Sequence, residues 1–264
     1  MTGGAKMRLY FHYLSLHIRE RMEYKKSFLL NLIGQFLGSF SAFLVIYFMF
    51  ERFHSVQGFT FSQILLSFSV VLMAFSLSEC FFRGFDVFST MIGNGEFDRI
   101  LVRPRNTVFL VICSKLQLDR LSRVLQASVM LAYALPRCGV EWTLTRVGVL
   151  IMMIGCGMAV FCCLFICGAT LCFFTIESVE VINIFTDGAR EFGAYPFAVY
   201  GKSILRLLTF VVPLACFQYW PMMWLIYPDS PVLYAFCPLF SLLFILPVSL
   251  LWKLGVSKYR STGS

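Results

Sequence analysis

The sequence predicts an all-α polytopic membrane protein, and three observations carry that prediction. The 264 residues are 59% hydrophobic and only 14% charged, with a mean hydropathy of +0.78. A soluble domain carries about 25% charged residues to keep its surface wet. Charge is also clustered: segments 27–50, 53–78, 147–176, 207–228 and 230–252 contain no Asp, Glu, Lys or Arg, giving uncharged runs of 24, 26, 30, 22 and 23 residues. About 20 apolar residues suffice for a helix to cross a hydrocarbon core of about 30 Å. The basic residues, finally, divide unevenly between the two sides that such helices define. This composition excludes a cytosolic enzyme, a disordered protein and a secreted disulfide scaffold.

The N-terminal segment 1–26 is expected to be a basic amphipathic helix lying at the membrane interface. Tyr10, Leu14 and Ile18 follow one another at four-residue intervals, with Phe11 and Met22 on adjoining turns, while Arg19, Arg21, Lys25 and Lys26 supply the polar side. The alternative is an ordinary charged lead-in. No cleavable signal peptide is expected, because the first apolar run exceeds the 7–15 residues of a signal core.

Spans are expected at about 27–50, 59–82, 118–136, 147–173, 204–226 and 231–252, followed by a tail at 253–264. The third is the weakest, since its uncharged run, 124–136, holds only 13 residues. Lys and Arg accumulate on the cytoplasmic side, and counting this segment as a span puts nineteen basic residues inside. Only Arg52, Arg137 and Arg146 are left outside. Six spans with both termini cytoplasmic follow. Asp119 and Arg123, one turn apart, are expected to pair at the inner end of the third span. Trp142, Trp220 and Trp224 fall near outer boundaries and Trp252 near an inner one.

Several chemical motifs fail. Gly201-Lys202-Ser203 resembles the end of a phosphate loop, but the required first glycine is Pro196. His12, His17 and His54 form no zinc-protease pattern, and no nucleophile elbow is present. Cys156, Cys162, Cys163, Cys167 and Cys172 lie in the fourth span, where small polarizable side chains pack; Cys138 is assigned to an outer loop. No catalytic, cofactor or metal site is predicted.

Gly34, Gly38 and Ala42 form a small-residue face on the first span, suited to close helix approach, with Asn31 and Gln35 beside it. Ser62, Ser69 and Ser76 recur every seven residues on the second span and lead to Glu79 and Arg83. They read as a pathway or interface stripe, or as serines bonded back to their own helix. The fifth span contains Pro213 and Pro221, with Pro228 and Pro231 beyond. It is either an irregular, re-entrant segment or a plain kinked helix.

The loop between spans two and three reads Gly93-Asn94-Gly95, then a short amphipathic helix that Pro104 stops. Phe97, Ile100 and Leu101 give it a small apolar face rimmed by charge. It is a docking element for a partner or a solvated connector.

Four stretches carry a resemblance to a known family: GEFDRILVRPRN, FFTIESVEVINIF, YPFAVYGKSILRLLTFVVPLACFQYWP and WKLGVSKYRSTGS. Their order and spacing resemble a permease subunit of the ABC-2-type ABC transporters, in the six-span bacterial subgroup. Phe173-Phe174 stands where relatives often place Phe-Trp. The resemblance implies an N-terminal interfacial helix, six spans and a cytoplasmic coupling helix at 95–103. It places Gly95, Glu96, Phe97, Asp98, Arg99, Ile100, Leu101 and Arg103 in contact with an ATPase subunit, with Glu96, Phe97, Asp98 and Arg99 facing it. Spans two and five would line the gate and the interface with a second permease chain, which makes Ser62, Ser69, Ser76, Glu79, Pro213, Tyr219 and Pro221 the candidates there. It further implies an export permease of the bacterial inner membrane, in contact with lipid and not with nucleic acid. ATP and Mg would bind the partner ATPase rather than this chain. The competing readings are a secondary carrier uncoupled from ATP, a membrane-embedded enzyme and a non-transporting scaffold subunit.

Overall fold

The computed structural model describes residues 13, 15, 16, 19, 23, 25–53, 55, 58–174, 179–193, 195 and 197–259. The interfacial helix expected over 1–26 falls almost entirely outside the described residues. The described residues are all-helical. Among the described residues, four helices are long and apolar enough to cross a membrane, five if one bent pair counts as a single crossing.

Helix α1 (Lys25–Phe53) is a single 29-residue rod. Helix α2 (Phe61–Asp86) begins where the Thr60 backbone N–H donates to Gln63 Oε1 at 2.9 Å. It leaves helical geometry at Phe82 and runs on through α3 (Phe88–Gly93). A turn through Gly95, whose φ of +67° suits a residue without Cβ, starts α4 (Glu96–Leu101). Helix α5 (Thr107–Ser114) is capped by Asn106, whose side chain accepts from the Phe109 N–H.

A single turn at Leu118–Arg120 leads into α6 (Leu121–Ala134). Helix α7 (Leu144–Leu171) is a single helix of 28 residues. Helices α8 (Val179–Phe192), α9 (Gly201–Phe210), α10 (Leu214–Phe217) and α11 (Tyr219–Ile226) are short. The last crossing is formed by α12 (Leu233–Ser241), the turn Leu242–Phe244 and α13 (Ile245–Lys258).

Helices α2 and α7 make the central pair. Helix α6 flanks α2, while α12 and α13 flank α7. Small residues allow this closeness: a Cβ on Gly157 would meet the Phe217 ring at 2.8 Å and the Ala74 Cβ at 2.9 Å. A Cβ on Gly84 would lie 2.0 Å from the Val111 carbonyl oxygen, so α2 and α5 touch backbone to backbone.

Among the described residues, the expected close approach does not occur at Gly34 and Gly38, while Ala42 of the same face packs against the core. A Cβ at Gly34 or Gly38 meets nothing within 4 Å. Helix α1 leans on the bundle through its aromatic side, where Phe36, Phe40, Phe43 and Tyr47 stack in a ladder ending on Phe61.

The expected fifth span, 204–226, is not one helix. Its two halves, Gly201–Phe210 and Leu214–Ile226, meet at 85°. Pro213, buried at the head of α10, lacks the N–H that a continuous ladder needs. The plain-kink reading is thereby excluded.

Candidate functional site

Helix α4 is built to hold one face against the bundle. Glu96 and Asp98 sit in its first turn, where carboxylates favour the helix dipole. Phe97 is fully buried and Ile100 nearly so. The Phe97 ring lies 5.0 Å from Phe88, 5.5 Å from Phe173, 6.3 Å from Trp252 and 5.1 Å from Tyr259, mostly edge to face. The Trp252 Nε1–H donates to Thr107 Oγ1 at 3.2 Å. This aromatic box joins α4 to the ends of α7 and α13 and to the start of α5. Burial first, and the neighbouring Asp98 carboxylate second, push the Tyr259 phenol above its ordinary pKa.

Phe97 and Ile100, expected on the docking face, therefore turn the other way. Two apolar residues three apart share one side of a helix, and here that side meets the chain's own aromatic box. The outward edge consists of Arg99, Leu101, Val102 and Arg103, with Gly95, Glu96 and Asp98 half-buried.

A second polar centre lies where α2, α6 and α1 converge. Glu79 is buried, and the Arg123 Nη1–H donates to it at 2.6 Å. Arg83 at 3.4 Å and Arg120 at 3.5 Å complete its surroundings. Arg120 also donates to Gln35 of α1 at 2.6 Å, tying that helix to the bundle. The expected Asp119–Arg123 pair gives way to this arrangement: Arg123 goes to Glu79. Asp119 is buried with its Oδ1 unpartnered among the described residues.

The serine stripe divides. Ser62 is half-buried, while Ser69 and Ser76 are fully buried. Ser69 donates to its own helix at Leu66 O, 2.8 Å away, and Ser76 Oγ has no partner among the described residues. Neither opens onto a lined passage within one chain.

The sequence reading missed a third centre. Gln218, buried, donates from Nε2 to Ser67 Oγ and to the Gly193 carbonyl, both at 2.9 Å. Gly193 itself presses on Val71, which leaves no room for a Cβ. The end of α8 and the start of α11 thus meet beside the middle of α2. Tyr219 is half-buried between the rings of Phe197 and Trp220, and Pro221 is buried within α11. The available signal was a lone glutamine in an uncharged run.

The family profile described as ABC-2 family transporter protein matches residues 36–263. The chain belongs to the ABC-2 transporter family. Comparison with curated proteins and with solved structures gave no match. Members of the ABC-2 family are membrane components of transporters, and the several apolar helices of this chain accord with a multi-pass membrane protein. In this ABC-2 family chain the aromatic box, the Glu79 cluster and the Gln218 junction all lie within the matched region.

Proposed function

We propose that this chain is the permease subunit of an ATP-driven exporter, powered by a separate ATPase subunit that binds ATP and Mg and docks on α4. The observation that carries this reading is the two-sided construction of α4. One side is locked into an aromatic box shared with α7 and α13, while the other presents Arg99, Leu101, Val102 and Arg103 to solvent. A push on the outer side would be passed to two long helices without passing through a flexible loop.

The same reading takes the chain across the membrane six times, with both termini cytoplasmic and a second permease chain completing the unit. The third crossing would be Leu118–Ala134, whose 3 and 14 helical residues span about 27 Å. The fifth would be composite, formed by α8 and by Leu214–Ile226, each about 20 Å long and joined by Gln218. Irregular backbone at membrane depth is tolerated where protein covers it. An ion-driven carrier needs a carboxylate that exchanges its partner; Glu79, held by three guanidiniums, is clamped, which favours the ATP-driven reading.

The test is co-purification and transport. An ATPase subunit that is retained by the wild-type chain should be lost on charge reversal of Arg99 and Arg103, with transport falling at least about tenfold for the two charge-assisted contacts removed. Retention and transport unaltered by both reversals would refute docking on α4.

A further inference from the structure

A cavity of about 310 Å³ opens between α1, α2 and α6, within the size range of small-molecule sites. One wall is the ring ladder of α1, where Phe36, Phe40, Phe43 and Tyr47 follow at helical spacing and consecutive rings are tilted by only 12°, 30° and 27°. The floor is buried Leu65 of α2 with buried Gln126 and Met130 of α6, and Val129 and Tyr133 stand exposed at the rim. Every lining residue belongs to one of the uncharged runs 27–50, 53–78 and 124–136.

Gln126 is the exception in this apolar floor. It is 3% exposed, and neither its Oε1 nor its Nε2 has a partner among the described residues. Burying an amide without a hydrogen bond is unfavourable, so such a group calls for a partner from outside the chain. Water suits the place poorly, because an ordered water needs two to four polar partners and the floor offers this one amide. A ligand that satisfies both amide atoms presents a donor and an acceptor side by side, as a carboxamide does. The ladder favours an aromatic body, which gains offset or edge-to-face contacts there. An ionised ligand would find no counter-charge in the lining.

We propose that this cavity binds a neutral aromatic molecule carrying a carboxamide-like group, its rings on the α1 ladder and its amide paired with Gln126. An acyl chain, or an apolar side chain from a second copy of this protein, fills the same volume but leaves Gln126 unpaired. The proposal concerns binding by this chain alone, so it stands or falls separately from docking of an ATPase on α4.

The test is binding of naphthamide, methylnaphthalene and decanamide to the purified full chain in detergent, each corrected for uptake by protein-free micelles. The wild type should hold naphthamide more tightly than either of the others. Gln126→Leu keeps the floor filled and removes the unpaired amide, so the variant should unfold no earlier than the wild type. It should weaken naphthamide at least about tenfold, the loss of two neutral hydrogen bonds, and leave methylnaphthalene unaltered. Decanamide held as tightly as naphthamide would give the cavity to an acyl chain. Uptake that appears only after dilution separates associated copies would give it to a second copy. Either result overturns the assignment, as would naphthamide binding that is absent from the wild type or unchanged by Gln126→Leu.

Discussion

Arg123 reaches across from α6 to Glu79 on α2 at 2.6 Å, although Asp119 lies one turn away in its own segment. The partner chosen is the one that joins two helices. The Glu79 side chain is 4% exposed and the Arg123 side chain 14%, so each depends on the other for compensation in a region with little water.

Removing Glu79 leaves buried guanidiniums without their carboxylate, and removing Arg123 leaves Glu79 only the longer contacts to Arg83 and Arg120, a loss of up to about 3–5 kcal/mol. Glu79→Gln and Arg123→Gln should each lower the thermal unfolding midpoint of the purified chain sharply. The double variant should recover part of the loss, since both charges are then gone. Strictly additive shifts would show that the two residues act independently.

Phe97 and Arg99 occupy the same short helix and should behave in opposite ways. Phe97→Ala empties the aromatic box and should cost about 3–5 kcal/mol of stability, as large-to-small changes of buried aromatics do. Arg99→Glu should leave stability within about 0.5 kcal/mol, as expected for an exposed position. Urea or thermal titration of the two variants separates the outcomes, and a stable Phe97→Ala protein would contradict the inward packing of α4.

The position of α4 could be read from sequence, because Gly95 and Pro104 bracket an amphipathic stretch. Its orientation could not. Apolar residues at three-residue spacing define a face, but spacing alone does not say whether that face meets a partner or the chain's own core. The same limit applied to Gly34 and Gly38, where small residues signalled closeness and the structure has open space. Long uncharged runs located α1, α2, α7 and the last crossing. Helix α8 lies outside those runs, and the packing of its Arg190 against the Phe75 ring of α2 follows from no spacing in the sequence. The break at Pro213 was one of two readings that proline chemistry allowed, and the 85° turn between Gly201–Phe210 and Leu214–Ile226 decided it.

The raised phenol of Tyr259 carries a sign that can be worked out. Burial, aided by the Asp98 carboxylate, disfavours the tyrosinate, so the folded pKa lies above the unfolded value of about 10. The neutral form therefore contributes stability that is fully present below about pH 10 and is lost as pH rises through the folded pKa. In a near-ultraviolet titration, the difference between wild type and Tyr259→Phe should show one phenol ionising later than free tyrosine. A normal titration for that residue would place it outside the aromatic box.

Gly84 carries a lesson of a different kind. With the Val111 carbonyl oxygen 2.0 Å from where its Cβ would stand, the position admits a single residue type, while Gly34 and Gly38 tolerate any small or medium side chain. In a saturation library selected for a functional chain, position 84 should return glycine alone. Its crossing of α2 and α5 then serves as a fixed pivot against which drift elsewhere in the membrane can be measured.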